Sequence, residues 1–135
     1  MSLFKVFDIS GSALHAQTVR LNTTASNMAN ADSISSSTAN TYRARQPIFA
    51  TQLDDAGNES AGVDVLSIVE SQSPLRREYR PDHPMADKSG YVNLPNVNPV
   101  EEMANMISAS RSYQSNVEVL NTSKQMLMRT LALGE

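Results

Sequence analysis

The stretch that decides the fold is NPVEEMANMISASRSYQSNVEVLNTSKQMLMRTLAL, residues 98–133. Asn98 can cap a helix through its side-chain oxygen, Pro99 suits the first helical position, and Glu101 favours the first turn. No Pro or Gly follows before Gly134, which is a natural helix stop. We therefore predict one helix that runs to Leu133, roughly 50 Å long at ~1.5 Å per residue.

Mostly apolar residues recur along this stretch in alternating three- and four-residue steps, a spacing that places them on one face of a coiled-coil helix. Most of these positions are apolar: Met103, Met106, Ser110, Tyr113, Val117, Leu120, Lys124, Leu127 and Leu131. The pattern predicts a helix that packs lengthwise against a partner.

The N-terminal stretch from Leu3 to Asn30 contains no Pro and carries a second such pattern. Large apolar residues fall on a seven-residue period, and smaller ones take the alternating position: Phe7, Leu14, Leu21 and Met28, with Gly11, Thr18 and Ala25. A second row widens the apolar face in the first half, and it consists of Val6, Ile9, Ala13 and Ala16. Asn27 and Asn30 are poor helix-interior residues, so we expect the helix to end near Asn30.

The middle of the chain lacks a helical pattern. Residues 31–41 are rich in Ser, Thr and Asn and predict a flexible loop. Strand-like runs follow, with a turn signal after the first of them: Tyr42 to Leu53, Asp54 to Asn58 (the turn), Val63 to Glu70, and Leu75 to Arg80. Pro81 to Val97 contains three prolines and Gly90 and predicts an extended connection. We expect a β-hairpin or a three-stranded patch that leans on the helices.

These patterns predict a mainly α fold with a small β insert. The N-terminal helix (residues 1–32), the loop and β-rich insert (33–97) and the C-terminal helix (98–135) are expected to form one structural unit with packed termini. The two helices are expected to pair as a coiled-coil-like hairpin. The expected contacts join Leu14, Leu21 and Met28 to Val117, Leu120 and Leu127. The second apolar row of the N-terminal helix requires further neighbours, which points to an assembly.

Composition argues against several function classes. The formal net charge is −3 at pH 7, so no basic surface for nucleic acid or an anionic membrane is expected. The chain has no cysteine, and no carboxylate lies three or four residues from His15, one of its two histidines, so we expect no metal site. No nucleophile elbow or phosphate-binding loop is present, and we expect neither catalysis nor a cofactor. Neither a cleavable signal peptide nor a membrane-spanning segment is expected.

Two residue types leave alternatives open. Methionines suit either ordinary helix packing or an adaptable assembly surface, and they stand at Met103, Met106, Met126 and Met128. Asparagines are costly inside helices unless they are hydrogen-bonded, so those of the two helices are either exposed or bridge helices and fix their register. They are Asn22, Asn27, Asn30, Asn105, Asn116 and Asn121.

Both ends of the chain carry longer motifs. The first helix closes with LNTTASNMANADS (21–33), and the C-terminal part contains GYV (90–92), PNV (95–97), ASRSYQ (109–114) and NVEVLNT (116–122). These motifs resemble those of the flagella basal body rod protein family, and within it the short proximal rod proteins. No Thr-Pro-Gly-Tyr follows Asn30, which disfavours the longer distal rod and hook proteins. The motif residues are Asn22, Asn27, Asn30, Gly90, Tyr91, Pro95, Asn96, Val97, Arg111, Tyr113, Asn116 and Asn121.

The resemblance implies a structural subunit of the bacterial flagellar basal-body rod that transmits torque from the rotor ring to the hook. It implies export by the flagellar type III apparatus without a cleaved signal peptide, and assembly in the periplasmic space as a helical tube. The implied partners are other proximal rod proteins, the distal rod protein and the rotor (MS) ring adaptor. Assembly would use the helix seams at Phe7, Leu14, Leu21, Ala25, Met28, Met103, Met106, Tyr113, Val117, Leu120, Leu127 and Leu131.

Two alternatives accompany this interpretation. Another short proximal rod protein is disfavoured by residues 90–97. A soluble coiled-coil adaptor or an export chaperone would show itself as a stable, folded small oligomer in solution.

Overall fold

The computed structural model describes residues 3–53 and 60–133. Along the chain, a long helix comes first, four strands follow, and a second long helix comes last. The elements are α1 (Leu3–Ala29), β1 (Arg45–Leu53), β2 (Ser60–Glu70), β3 (Arg76–Tyr79), β4 (Tyr91–Leu94) and α2 (Pro99–Ala132). The predicted fold of two long terminal helices around a small antiparallel β region is confirmed. The predicted turn from Asp54 to Asn58 and the stop at Gly134 lie outside the described residues.

Both ends of α2 follow from local chemistry. The Asn98 side chain accepts a hydrogen bond from the Val100 N–H at 3.1 Å, and Pro99 takes the first helical position. Glu101 and Glu102 lie in the first turn and Arg129 in the last, where each charge favours the helix dipole. The predicted start of the C-terminal helix is therefore confirmed.

The end of α1 is closed by Asn30. Its backbone N–H and its side-chain amide both donate to the Ser26 carbonyl, at 3.2 and 2.8 Å. Ala31 then turns out of the helix and becomes buried at 3% exposure. The predicted end of the N-terminal helix near Asn30 is confirmed.

The two helices pack against each other in antiparallel directions. Thr24 and Asn27, near the end of α1, are hydrogen-bonded to Glu102 at the start of α2, and Arg20 donates to Asn105 at 3.3 Å. This register places Met28 close to the first turn of α2. Val117, the first of the three predicted partners on α2, lies 15 residues beyond Glu102, roughly 22 Å away at ~1.5 Å per residue, so the predicted placement of Met28 against the seam of Val117, Leu120 and Leu127 is wrong.

The buried side chains of the two helices are small or polar. Buried residues on α2 are Glu102, Ala109 and Ser123, and those on α1 are Ser10, Ala16, Thr23, Thr24 and Asn27. Small side chains at a helix contact allow the two axes to come close together. The larger apolar residues are thereby displaced to the sides of the contact.

A long β-hairpin of β1 and β2 lies along α1. The strands pair from Arg45 with Glu70 to Leu53 with Ser60, and the register shifts between Ile48 and Phe49. The Val63 N–H donates to the Ser12 hydroxyl at 3.0 Å and fixes the far part of the hairpin to α1. Of the three predicted strands, the first two thus form one hairpin.

The third predicted strand, β3, pairs with β4, which the sequence did not predict. The ribbon runs from Arg76 with Leu94 to Tyr79 with Tyr91. The segment from Pro81 to Val97, predicted as an extended connection, consists of a turn-rich loop followed by β4. Gly90 adopts φ +80°, which lets the chain reverse after the proline-rich loop and resume as a strand.

The core lies at one end of the helix pair. Ala31, Ala44 and Val97 form a buried cluster against which Tyr42 packs. Val92, five residues before Val97, is fully buried as well. The end of α1, the start of β1 and the segment that leads into α2 therefore meet there. Within the described part of the chain, no helix is long and apolar enough to cross a membrane.

Candidate assembly surface and the junction that positions it

Asn27 is the centre of the junction between the helices and the β region. Its side chain is 1% exposed and accepts hydrogen bonds from the Arg45 N–H and the Tyr42 hydroxyl, both at 2.9 Å. Its amide nitrogen donates to the Arg45 carbonyl at 2.8 Å, and the side chain is also bonded to Glu102. One amide thus joins α1, β1 and α2. Of the two alternatives for the helix asparagines, exposed or bridging, Asn27 takes the bridging one.

Glu102 lies beneath this junction and is 6% exposed. Burial raises the pKa of its carboxyl above the ordinary value of 4.5, because a buried charge loses its hydration, and the nearby Glu101 adds to the rise. Hydrogen bonds from Asn27 and Thr24 and the charge of Arg20 act in the opposite direction. The start of α2 is therefore held to α1 by a buried, hydrogen-bonded acid.

Asn96 ties the segment before α2 to the β region. Its side-chain oxygen accepts from the Ala44 N–H at 2.8 Å, and its amide nitrogen donates to the Ser73 carbonyl at 2.9 Å. Ala44 precedes Arg45 directly, so Asn96 and Asn27 hold neighbouring backbone groups of the same segment. These two asparagines determine where β1 starts relative to both helices.

The turn before β4 is organised by Asp87. One carboxylate oxygen accepts the Tyr91 N–H at 2.9 Å and the Ser89 N–H at 2.8 Å, and the other contacts Arg77 at 2.7 Å. The pKa of Asp87 is lowered chiefly by the Tyr91 N–H, with smaller contributions from Ser89 and Arg77. The Arg77 guanidinium also lies over the Tyr91 ring, 4.8 Å from its centroid.

The remaining motif residues lie in three kinds of place. Pro95 and Val97 are buried near the junction, whereas Asn30 caps α1 and Asn116 donates to the Ser112 carbonyl of its own helix at 2.9 Å. Others are exposed on the helix surfaces: Asn22, Arg111, Tyr113 and Asn121.

The predicted seam residues divide by exposure. Those of intermediate burial are Phe7, Leu14, Leu21, Met28, Met106, Val117, Leu120 and Leu127, and those exposed are Ala25, Met103, Tyr113 and Leu131. None of the twelve is fully buried. Their use in assembly remains a prediction.

A stripe of exposed apolar side chains runs along α2 beside its buried face. We call it the outer stripe, and its members are Met103 (46% exposed), Ile107 (55%), Tyr113 (37%), Met128 (62%) and Leu131 (62%). Because Glu102 lies level with Asn27, Leu3 at the start of α1 lies level with about residue 126, and α2 extends past it by roughly six residues, or ~9 Å. Met128 and Leu131 therefore lie on a part of α2 that α1 does not cover.

Sequence reasoning missed the buried face of α2. The signal was the spacing of Glu102, Ala109 and Ser123 by seven and then fourteen residues, each one position before Met103, Ser110 and Lys124 in the predicted seam. Ranking positions by hydrophobicity favours the larger neighbours, although close helix contacts favour small residues.

Two family models match the two ends of the chain. "Flagella basal body rod protein" matches residues 7–33, and "Flagellar basal body rod FlgEFG protein C-terminal" matches residues 88–133. The chain is also 54% identical to the flagellar basal-body rod protein FlgC of Salmonella typhimurium, with both proteins covered over their full length. The chain belongs to the FlgC family of flagellar basal-body rod proteins.

Other FlgC proteins show the same full-length likeness. The chain is 52% identical to FlgC of Yersinia enterocolitica and 46% identical to FlgC of Buchnera aphidicola from Acyrthosiphon pisum, with complete coverage of each. As a member of the FlgC family, the chain is a structural subunit of the proximal rod of the flagellar basal body. The two matched ranges include both sides of the Asn27 and Glu102 junction.

Proposed function

We propose that this chain polymerises through its terminal helices to form part of the proximal rod, the drive shaft that transmits torque from the rotor ring to the hook. The outer stripe of α2 supports this proposal most directly. Exposed apolar side chains grouped in this way, from Met103 to Tyr113 and from Met128 to Leu131, are typical of an interaction site. In a tube of subunits, neighbouring helices would remove these side chains from water.

A coiled-coil-like pairing of α1 and α2 is part of the proposal. The spacing of Glu102, Ala109 and Ser123 on the buried face of α2, by seven and then fourteen residues, supports it. The outer stripe is then a second seam on the same helix, directed at another subunit. The helix units 1–32 and 98–135 and the insert 33–97 would act as one structural unit.

Torque transmission requires a wall that resists twisting. Close-packed protein interiors deform little, and a contact made of small side chains brings the helix backbones into near contact. The buried face of α2 would therefore stiffen each subunit, while the outer stripe would join subunits.

The proposed setting is the periplasmic part of the basal body, reached through the flagellar type III export apparatus without a cleaved signal peptide. The proposed neighbours are the other proximal rod proteins, the distal rod protein and the rotor ring adaptor. We propose a purely structural role without catalysis, in line with the naming of the relatives as rod proteins.

Replacing Leu131 with Asp tests the proposal. Leu131 is 62% exposed, so the stability of the free chain is expected to change by only about 0.5 kcal/mol or less. In the rod the new carboxylate would be buried without a partner, which costs several kcal/mol at every copy. We expect loss of swimming in soft agar and absence of rods in basal-body preparations.

Thr122→Asp is the matched control. Thr122 is exposed on the same helix, and its position nine residues before Leu131 places it on the opposite side at ~3.6 residues per turn. The control is expected to swim. Normal rods in the Leu131→Asp strain, with the variant present in them, would show that the outer stripe is not an assembly surface.

A further inference from the structure

The β1–β2 hairpin and α1 enclose an open groove of about 580 Å³ that no described element fills. Val19 and Ile68 provide its apolar surface, Thr23 and Ser26 provide hydroxyls on the α1 side, and the Arg45–Glu70 ion pair lies at the rim. Ile68 is 51% exposed although it is directed into this groove. The register shift between Ile48 and Phe49 lies opposite this part of β2, where bulges commonly turn a strand aside.

We propose that this groove receives the C-terminal helix end of an adjacent rod subunit, with Met128 and Leu131 or their equivalents inserted against Val19 and Ile68. This inference rests on the proposed function. The groove spans Val19 to Ser26, roughly 10 Å of α1, and two side chains three residues apart on a helix are separated by ~4.5 Å along its axis. A helix end with two such apolar residues therefore fits the length of the groove.

The occupant must come from another subunit. Arg20 beside the groove is hydrogen-bonded to Asn105, and Leu131 lies 26 residues beyond Asn105, roughly 40 Å along α2. The helix end of one chain cannot reach its own groove. A contact between the end of one subunit and the side of another is of the head-to-tail type, which extends into an open array rather than a closed dimer.

Charge also favours this occupant. The C-terminal end of α2 carries Lys124 and Arg129 and has no acidic residue among positions 121–132. Arg45 contacts Oε1 of Glu70 at 3.3 Å, and the Glu70 side chain is 50% exposed, so the second carboxylate oxygen can accept from an incoming cation. The C-terminal region of the chain matches the family model of the C-terminal region of flagellar basal body rod proteins, so neighbouring subunits of the family carry the same kind of helix.

Site-specific photo-crosslinking in motile cells tests the groove. A benzophenone amino acid replaces Ile68 in one strain and Val69 in another, because neighbouring strand residues face opposite sides. We expect the probe at position 68 to crosslink to the last three turns of a rod subunit's C-terminal helix, at least tenfold more than the probe at position 69. Asn22, exposed at the groove rim, serves as a second probe position if the Ile68 variant does not assemble.

Mass spectrometry of the crosslinked peptides decides the outcome. Capture of any other segment by the position 68 or 22 probe, or equal capture by position 69, would overturn the groove assignment. The Leu131→Asp strain separates the two proposals. If that strain lacks rods while neither groove probe captures a C-terminal helix, the assembly role stands and only the groove assignment fails.

Discussion

At the scale of single residues, Asn27 shows how an asparagine, which has a low helix propensity, can stabilise the fold from within a helix. Its amide forms two hydrogen bonds with the N–H and carbonyl of Arg45, as a neighbouring strand would. The amide thereby provides hydrogen-bond partners for backbone groups at the start of β1 that face away from the neighbouring strand. Buried backbone groups without a hydrogen-bond partner lower the stability of the fold. The family resemblance could place Asn27 in a motif, but the partner 18 residues away could not be predicted from spacing.

Asn27→Ala is expected to destabilise the free chain by roughly 2–3 kcal/mol. The substitution leaves the Arg45 backbone and the Tyr42 hydroxyl without their partner in a buried place. Urea unfolding followed by circular dichroism measures the change. Asn22→Ala on the exposed side of the same helix is the control and is expected to change stability little; equal losses in both variants would contradict the junction role.

Glu102 gives stability a specific dependence on pH. Because its pKa is higher in the folded chain than the ordinary 4.5, its protonation favours folding. This contribution is fully present below the unfolded pKa and is lost as the pH rises through the folded pKa. Glu102→Gln removes the titration, so the stability of the parent relative to this variant should increase as the pH falls from 7 towards 4. A difference that is constant over this range would contradict the buried acid.

At the scale of elements, the helices could be predicted well and the strands only in part. Asn98 and Pro99 mark a helix start by local chemistry, and Asn30 marks an end in the same way. The short strand β4 could not be predicted, because Gly90 and Pro95 flank it and its pairing with β3 depends on the turn held by Asp87. The buried face of α2 could not be predicted, because its small residues do not stand out in the hydrophobic periodicity of the sequence.

The β3–β4 ribbon depends on the backbone of Gly90. A Cβ at this position would lie 2.7 Å from the Tyr79 ring and would occupy the left-handed region at φ +80°. We expect Gly90→Ala to cost roughly 2 kcal/mol of stability in thermal unfolding. Gly11→Ala, where nothing lies within 4 Å, should instead stabilise the free chain by roughly 0.5–1 kcal/mol. The same sign in both variants would contradict this assignment.

At the scale of the whole molecule, burial is uneven. The buried apolar cluster of Ala31, Ala44 and Val97 lies at the junction, whereas the C-terminal end of α2 carries large exposed side chains such as Met128 and Leu131. A helix gains most of its stability from packing. A chain whose core lies at one end of a long helix pair is therefore suited to completing its packing with neighbouring subunits. The sequence periodicity could predict that such neighbours are needed, but not which part of the helix surface contacts them.

An electron-microscopy map of the native basal body, at a resolution that shows side chains, tests the central claim most directly. We predict that α1 and α2 lie within the rod wall and that Met103, Ile107 and Leu131 of the outer stripe are buried against neighbouring subunits. The junction of Asn27 and Glu102 should be retained in each copy. A map in which the outer stripe faces solvent, while other surfaces join the subunits, would contradict assembly through the terminal helices.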